Sequence, residues 1–198
     1  MKKKISLFLL GSICFIVSQP LIRIPILNYL QGTTKFILFY RLNPLLVGII
    51  IAFSAGIFEE GFRFIFRSFI SKPVKLGILE PIIFGLGHGL AEAFILLGPV
   101  IFRVPLSSLY VGILERFLAI ILHIGLTVII WNGFQLNKKY RYLGIAILVH
   151  GLVNSLIPIL SFSQYWIILI ESSLAIIDIC IIIYIYKSRK YYLREEIA

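Results

Sequence analysis

The sequence predicts an all-α integral membrane protein, a polytopic bundle of about six transmembrane helices with both termini in the cytoplasm. Hydrophobic residues make up 60% of the 198 positions, against roughly 45 to 50% in a soluble domain. They form runs long enough to cross a bilayer, which takes about 20 residues per helix. Most basic residues lie between the runs. We expect a single membrane domain, 1–198, with a motif-bearing core at about 42–160.

The first three helices are separated by turn-forming residues. The first, 5–28, follows three lysines and lacks the small residues of a signal-peptide cleavage site, so it is predicted to stay attached. Gly32-Thr33-Thr34 separates it from the second helix, 42–66, and Ser71-Lys72-Pro73 separates that from the third, 76–98. Two prolines are expected to kink or end the first helix: Pro20 and Pro25.

The last three helices have similar boundaries. Gly98-Pro99 and Pro105 precede the fourth helix, 109–134. Asn137-Lys138-Lys139 and then Ser161-Phe162-Ser163-Gln164 mark the next two breaks. These breaks predict the last two helices, 142–160 and 164–186.

The distribution of basic residues orients the bundle and explains the formal charge of +10. With the N-terminus inside, thirteen lysines and arginines fall on the cytoplasmic side: Lys2, Lys3, Lys4, Arg67, Lys72, Lys75, Lys138, Lys139, Arg141, Lys187, Arg189, Lys190 and Arg194. Four fall outside: Arg23, Lys35, Arg41 and Arg103. Cytoplasmic loops of membrane proteins show this excess. The basic residues therefore indicate topology in a membrane and contact with lipid, and they do not indicate nucleic-acid binding. We expect the membrane to be the cell membrane of a bacterium.

Acids and histidines lie inside the apolar runs, where a charge costs at least a few kcal/mol and is a functional-site candidate by default. The set comprises Glu59, Glu60, Glu80, Glu92, Glu115, Glu171, Asp178, His88, His123 and His150. At 1.5 Å per residue, Glu59 and His150 lie roughly 12 Å, and His88 and His123 roughly 18 Å, from the inner face. Four helices thus bring a carboxylate and three imidazoles to a similar depth.

The second and third helices carry acids one turn from a basic group. Glu59 and Arg63 are four positions apart and can pair, while Glu60 points about a quarter-turn away. The alternative is a buried ion pair that only fixes helix packing. His88 and Glu92 share a face of the third helix, whose glycines allow a neighbouring backbone or a substrate to approach closely.

The fifth helix places His150 and Asn154 on one face, a pair suited to donate hydrogen bonds to a developing oxyanion. The alternative is hydrogen bonding between helices. The fourth helix adds His123 as a supporting group. Glu115 and Arg116, near its outer end, are expected to be structural.

Together, the order Glu59-Glu60-x-x-Arg63, Phe84-x-x-x-His88 and His150-x-x-x-Asn154 resembles the CAAX-protease and bacteriocin-processing (CPBP) superfamily of intramembrane proteases. The segments around His88 and His123 resemble its YhfC-type branch most. The resemblance covers roughly 45–160, and it departs from the usual motif in that Arg63 comes one position early. It implies a helical bundle with a water-filled cavity open to the cytoplasm.

The resemblance also implies a peptidase acting on a peptide or a membrane-anchored protein. Glu59 or Glu60 with His88 would activate water, His150 with Asn154 would form the oxyanion site, and Arg63, Glu92 and His123 would support them. This glutamate-type mechanism needs no cofactor. One alternative is a zinc protease with His88, His123 and His150 as ligands. A non-catalytic immunity, scaffold or transport protein is the other.

Overall fold

The computed structural model describes residues 2–70 and 77–192. Six helices are long and apolar enough to cross a membrane, and this part of the chain contains no strand. Their bounds are Lys2–Gln31, Pro44–Phe69, Leu79–Ile101, Tyr110–Gln135, Lys139–Leu160 and Trp166–Tyr191. The predicted helical membrane fold is therefore confirmed. The predicted break at Ser71-Lys72-Pro73 and the basic residues Lys72, Lys75 and Arg194 lie outside the described residues.

The first crossing consists of α1 (Lys2–Ile16), a π-helical segment (Val17–Arg23) and α2 (Ile24–Gln31). The two prolines do not end it, contrary to one of the two outcomes expected from the sequence. Pro20 lies within the π-helical segment, where the wider turn accommodates its missing hydrogen bond. Pro25 lies in the first turn of α2, and the helix continues through it, since the Ile24 backbone N–H before it still bonds to the Gln19 carbonyl.

A short helix, α3 (Thr34–Leu42), follows the first crossing and was not predicted. The side chain of Thr33 caps it by accepting a hydrogen bond from the Phe36 backbone N–H at 3.3 Å. The next four crossings are α4 (Pro44–Phe69), α5 (Leu79–Ile101), α6 (Tyr110–Gln135) and α7 (Lys139–Leu160). The last crossing begins with α8 (Trp166–Ser188).

Glycines bring α5 into backbone contact with its neighbours, as the sequence predicted. A Cβ added at Gly87 would lie 2.1 Å from the carbonyl oxygen of Phe8 in α1. On the other side, a Cβ at Gly85 would lie 2.7 Å from the Cα of Ile124 in α6. His88 therefore lies on a helix that is wedged between α1 and α6, and its position is fixed by both.

The bundle has two ends. The basic end carries Lys2, Phe69, Leu79, Gln135, Lys139 and Ser188, and the distal end carries Gln31, Pro44, Ile101, Tyr110, Leu160 and Trp166. An even number of crossings places the first and last described residues together at the basic end.

Aromatic side chains fill the interior of the bundle toward the basic end. Trp131 is fully buried and packs against Phe84 with 5.0 Å between ring centroids. The guanidinium of Arg67 lies 5.4 Å from the Trp131 ring, within the range of a cation–π contact. Asn132 donates hydrogen bonds of 2.8 Å to Tyr184 and Ser188. This half of the protein is a packed core.

Candidate functional site

Four side chains from four different helices meet in the middle of the bundle: Glu59 on α4, His88 on α5, His123 on α6 and His150 on α7. Each is at most 3% exposed. His88 Nε2 lies 3.0 Å and His123 Nδ1 lies 3.8 Å from Glu59 Oε2. His150 Nε2 lies 4.0 Å from the other carboxylate oxygen, Oε1. One carboxylate is thus surrounded by all three histidines of the chain.

Glu60 is held away from this centre by two hydrogen-bond donors. Arg63 Nη1 donates to both of its carboxylate oxygens, and His150 Nδ1 lies 2.8 Å from Oε1. The expected pairing of Arg63 with Glu59 is therefore wrong, since Arg63 pairs with Glu60. Residues three apart on a helix are neighbours just as residues four apart are, and Glu59 is turned toward the histidines.

His123 lies between two charged groups that fix its tautomer. Its Nε2 is hydrogen-bonded to Glu92 Oε2, and Arg63 Nη2 lies 3.3 Å from its Nδ1. A carboxylate only accepts and a guanidinium only donates. The ring hydrogen therefore lies on Nε2, and Nδ1 accepts from Arg63 at a position 3.8 Å from Glu59 Oε2. Arg116 donates to the other oxygen of Glu92 at 2.9 Å.

Gln19 is a site residue that the sequence analysis missed. Its amide N–H donates to Glu59 Oε1, and its amide oxygen accepts from Arg23 Nη1 at 2.9 Å. Arg23 is itself anchored on α4 through Ser54 Oγ at 2.9 Å and the Ile51 carbonyl at 2.8 Å. Both Gln19 and Arg23 lie on the π-helical segment, a feature frequent at functional sites. The available signal was a glutamine directly before a proline within an apolar run.

A cavity of about 760 Å³ leads to Glu59, within the size range of ligand pockets. Its wall includes Gln19, Glu92, Arg116 and Asn154. Asn154 therefore lies where a substrate could contact it. No hydrogen bond joins Asn154 to His150 among the described residues. The Nε2 of His150 faces Glu59 instead, 4.0 Å from Oε1.

The cavity extends from the site toward the distal end. Besides Glu59 and Asn154, its wall includes Pro44 and Tyr40 near the start of α4 and Phe162 beyond the end of α7. Two expectations from the sequence thus conflict, because a cavity at the distal end cannot face the cytoplasm if both termini do. The expectation of a cavity open to the cytoplasm stays a prediction, because the lining residues of this cavity lie on the distal side of Glu59.

Three of the central residues have the donor spacing of a metal site. Glu59, His88 and His123 each offer one ligand atom, and these atoms lie within 4.8 Å of one another. In a tetrahedral zinc site, ligand atoms about 2.0 to 2.2 Å from the ion are roughly 3.3 Å apart. The 3.0 and 3.8 Å separations from Glu59 Oε2 bracket that value.

Comparison with known protein families identifies the chain. The sequence model of a family described as YhfC intramembrane metalloprotease matches residues 1–103 and 99–177. The chain belongs to the YhfC family. Its family name indicates an intramembrane protease, that is, a peptide hydrolase within the membrane. Neither the curated proteins nor the solved structures include a significant match.

The residues present fit the metal that the YhfC family name implies. One carboxylate and two imidazoles are a normal ligand set for catalytic zinc, which keeps a fourth position for water. His123 also has the outer partner typical of such ligands, because its second nitrogen is bonded to the Glu92 carboxylate. The expectation of an enzyme without a cofactor is not supported. The group that could hold a metal ion differs from the expected one, with Glu59 in the place of His150.

Proposed function

We propose that this chain is an intramembrane endopeptidase that hydrolyses peptide bonds at Glu59. The observation that carries the proposal is that Glu59, surrounded by three histidines, forms the inner end of a cavity that reaches the bundle surface. A buried carboxylate held for packing alone would not need an open path to it. Membership of the YhfC family supports the same reaction class.

Glu59, His88 and His123 are the residues that would hold a divalent ion such as zinc. Bound there, zinc supplies Lewis-acid chemistry, which polarises a carbonyl oxygen and makes water easier to deprotonate. Glu92 fixes His123 through its Nε2 nitrogen. Gln19 fixes the carboxylate of Glu59 through Oε1.

His150 is the proposed proton carrier. Glu60 accepts from its Nδ1–H at 2.8 Å, which leaves Nε2 facing Glu59 at 4.0 Å. That nitrogen can take a proton from the attacking water and return it to the leaving amine of the cleaved bond. Arg63 keeps the Glu60 carboxylate in place, so the Glu60–His150 pair is oriented before a substrate arrives.

Asn154 is the proposed donor to the carbonyl oxygen of the scissile bond. It lies in the cavity wall one helical turn beyond His150 on α7. An amide N–H aimed at the position where negative charge develops is a common stabiliser of acyl-transfer transition states. The substrate is a peptide or membrane-anchored protein, met in the lipid environment of a bacterial cell membrane.

A metal-free glutamate mechanism is the second candidate, and a specific observation favours it. Gln19 and His88 already hold the two oxygens of Glu59, so the carboxylate is positioned without an ion. In that case Glu59 itself accepts the proton of water. The order of Glu59-Glu60, His88 and His150 with Asn154 also supports placement in the CPBP superfamily.

Cleavage of a peptide library by the purified chain in proteoliposomes tests the proposal. We expect products by mass spectrometry from the native sequence and none from Glu59→Gln or His88→Ala. Glu171→Gln is the matched control, since Glu171 is an acid of α8 outside the cavity. If both site variants cleave as fast as the native chain, the proposal is wrong.

A further inference from the structure

We propose that the substrate reaches Glu59 from the extracytoplasmic side of the membrane. This inference rests on the proposed function and adds the class of substrate: a largely apolar peptide segment of a secreted or membrane-anchored protein. It differs from the cytoplasmic access that the resemblance implied. Three observations carry it, and none of them depends on the identity of the catalytic group.

The first observation is the direction of the cavity. On each helix that lines it, the lining residue nearest the basic end is at the level of the site or beyond: Phe15, Glu59, Glu92, Arg116 and Asn154. All other described lining residues continue from there toward the distal end. Among the described residues, the lining of this cavity therefore gives a molecule a path to Glu59 from that end or from the adjoining lipid.

The second observation is the barrier on the opposite side. Phe84, Leu126, Ile130 and Trp131 are fully buried in one hydrophobic cluster. They lie on α5 and α6 on the basic-end side of His88 and His123. A peptide entering between α5 and α6 from the basic end would have to displace these close-packed side chains.

The third observation is the charge at the two ends. Among the described residues, the basic end carries Lys2, Lys3, Lys4, Arg67, Lys138, Lys139, Arg141, Lys187, Arg189 and Lys190. The distal side carries Arg23, Lys35, Arg41 and Arg103. Short loops rich in lysine and arginine remain in the cytoplasm. The distal end, where the cavity opens, therefore faces outward.

The wall of the cavity indicates the kind of segment that it accepts. Aliphatic and aromatic side chains dominate it, including Leu45, Ile51, Ile95 and Ile157. Its charged side chains are partly paired, as in the contacts of Arg116 with Glu92 and Glu115. An apolar peptide segment fits this wall better than a charged one.

Cysteine labelling tests the direction of access without requiring cleavage. The parent is Cys180→Ala, which retains the fully buried Cys14 and should stay unlabelled. Into it we would place Ala52→Cys within the cavity, Ser161→Cys at its rim and Ser68→Cys at the basic end. Ser161 and Ser68 are both exposed serines and form a matched pair.

A sulfonated maleimide that does not cross the membrane is added to intact cells and to inverted vesicles. We expect Ala52→Cys and Ser161→Cys to react faster in intact cells by more than about tenfold, since a sulfonate crosses hydrocarbon poorly. Ser68→Cys should react only in inverted vesicles. The inference is overturned if Ala52→Cys reacts together with Ser68→Cys, if it reacts from neither side, or if the two serine positions are reversed.

The outcome is separable from that of the proposed function. Glu59→Gln in the same labelling background should retain the labelling pattern and lose cleavage. Outward labelling without peptidase activity in the native chain would leave the access route standing and remove the protease proposal. The two sources of substrate, secreted and membrane-anchored proteins, are then compared with one apolar peptide, added either free or attached to a lipid anchor. Because the apolar segment is the same, a difference in cleavage rate reports the effect of the anchor.

Discussion

Gln19 donates a hydrogen bond to Glu59 across 40 positions of sequence. Through it, the first crossing of the membrane contributes directly to the reaction centre with an uncharged side chain. The amide oxygen of Gln19 accepts a hydrogen bond from Arg23 Nη1. The π-helical segment is therefore part of the functional site and not only a way to accommodate Pro20.

Replacing Gln19 by leucine should lower kcat with little change in KM. Hydrogen bonds to charged groups contribute about 1.5 to 3 kcal/mol, so we expect a fall of roughly 10- to 100-fold. Steady-state kinetics on the cleaved peptide measure it. Ser18→Ala is the control, since Ser18 is buried on the same segment and bonds only to the Phe15 carbonyl. A rise in KM alone would show that Gln19 does not position Glu59.

The Glu60–Arg63 pair should be strongly coupled in stability. Both side chains are fully buried, and removing one partner leaves an unpaired buried charge, which costs about 3 to 5 kcal/mol. Glu60→Gln and Arg63→Met should each lower the unfolding temperature in detergent. The double variant should lose less than the sum of the two. Additive losses would mean that the contact contributes no coupling.

Gly87→Ala should destabilise the bundle, whereas Gly61→Ala should not. The new Cβ at Gly87 would overlap the Phe8 carbonyl oxygen at 2.1 Å, while a Cβ at Gly61 meets nothing within 4 Å. Overpacking of this kind costs about 1 to 3 kcal/mol. Thermal unfolding of the two variants in the same detergent compares them. Equal stability would contradict the close approach of α1 and α5.

Helical depth alone was enough to predict that Glu59, His88, His123 and His150 could meet. Hydrophobic length fixed the helices, and a constant rise per residue then fixed how deep each polar side chain lies. The pairing of Arg63 was not predictable in this way. Spacings of three and four residues share a helix face, so the choice between Glu60 and Glu59 depends on how α4 is rotated against its neighbours.

Other features depend on packing that no local pattern contains. Gln19 is uncharged, so the cost of placing a charge in the membrane did not mark it as a functional candidate. The π-helical segment that turns it toward Glu59 has no clear sequence signature. Tryptophans are often found at the membrane interface, whereas Trp131 is fully buried. Its ring packs against Phe84 within the bundle, a contact that depends on how α5 and α6 pack together.

Asn154→Ala should reduce kcat by about 10²- to 10³-fold, the effect of removing one donor to a developing oxyanion. KM should change little, because the contact strengthens only in the transition state. Asn132→Ala is the matched control. Asn132 is fully buried near the basic end and bonds to Tyr184 and Ser188, so its loss should affect stability rather than kcat. Equal kcat values for the two variants would exclude the proposed role of Asn154.

The most direct test of the proposed centre is the zinc content of the purified chain, measured by mass spectrometry together with its peptidase activity. With Glu59, His88 and His123 as ligands, we expect about one zinc per chain. The ion and the activity should be lost together in His88→Ala and His123→Ala and retained in Glu171→Gln. Full peptidase activity in native protein that contains no metal would contradict the metal centre and favour Glu59 acting alone as the base.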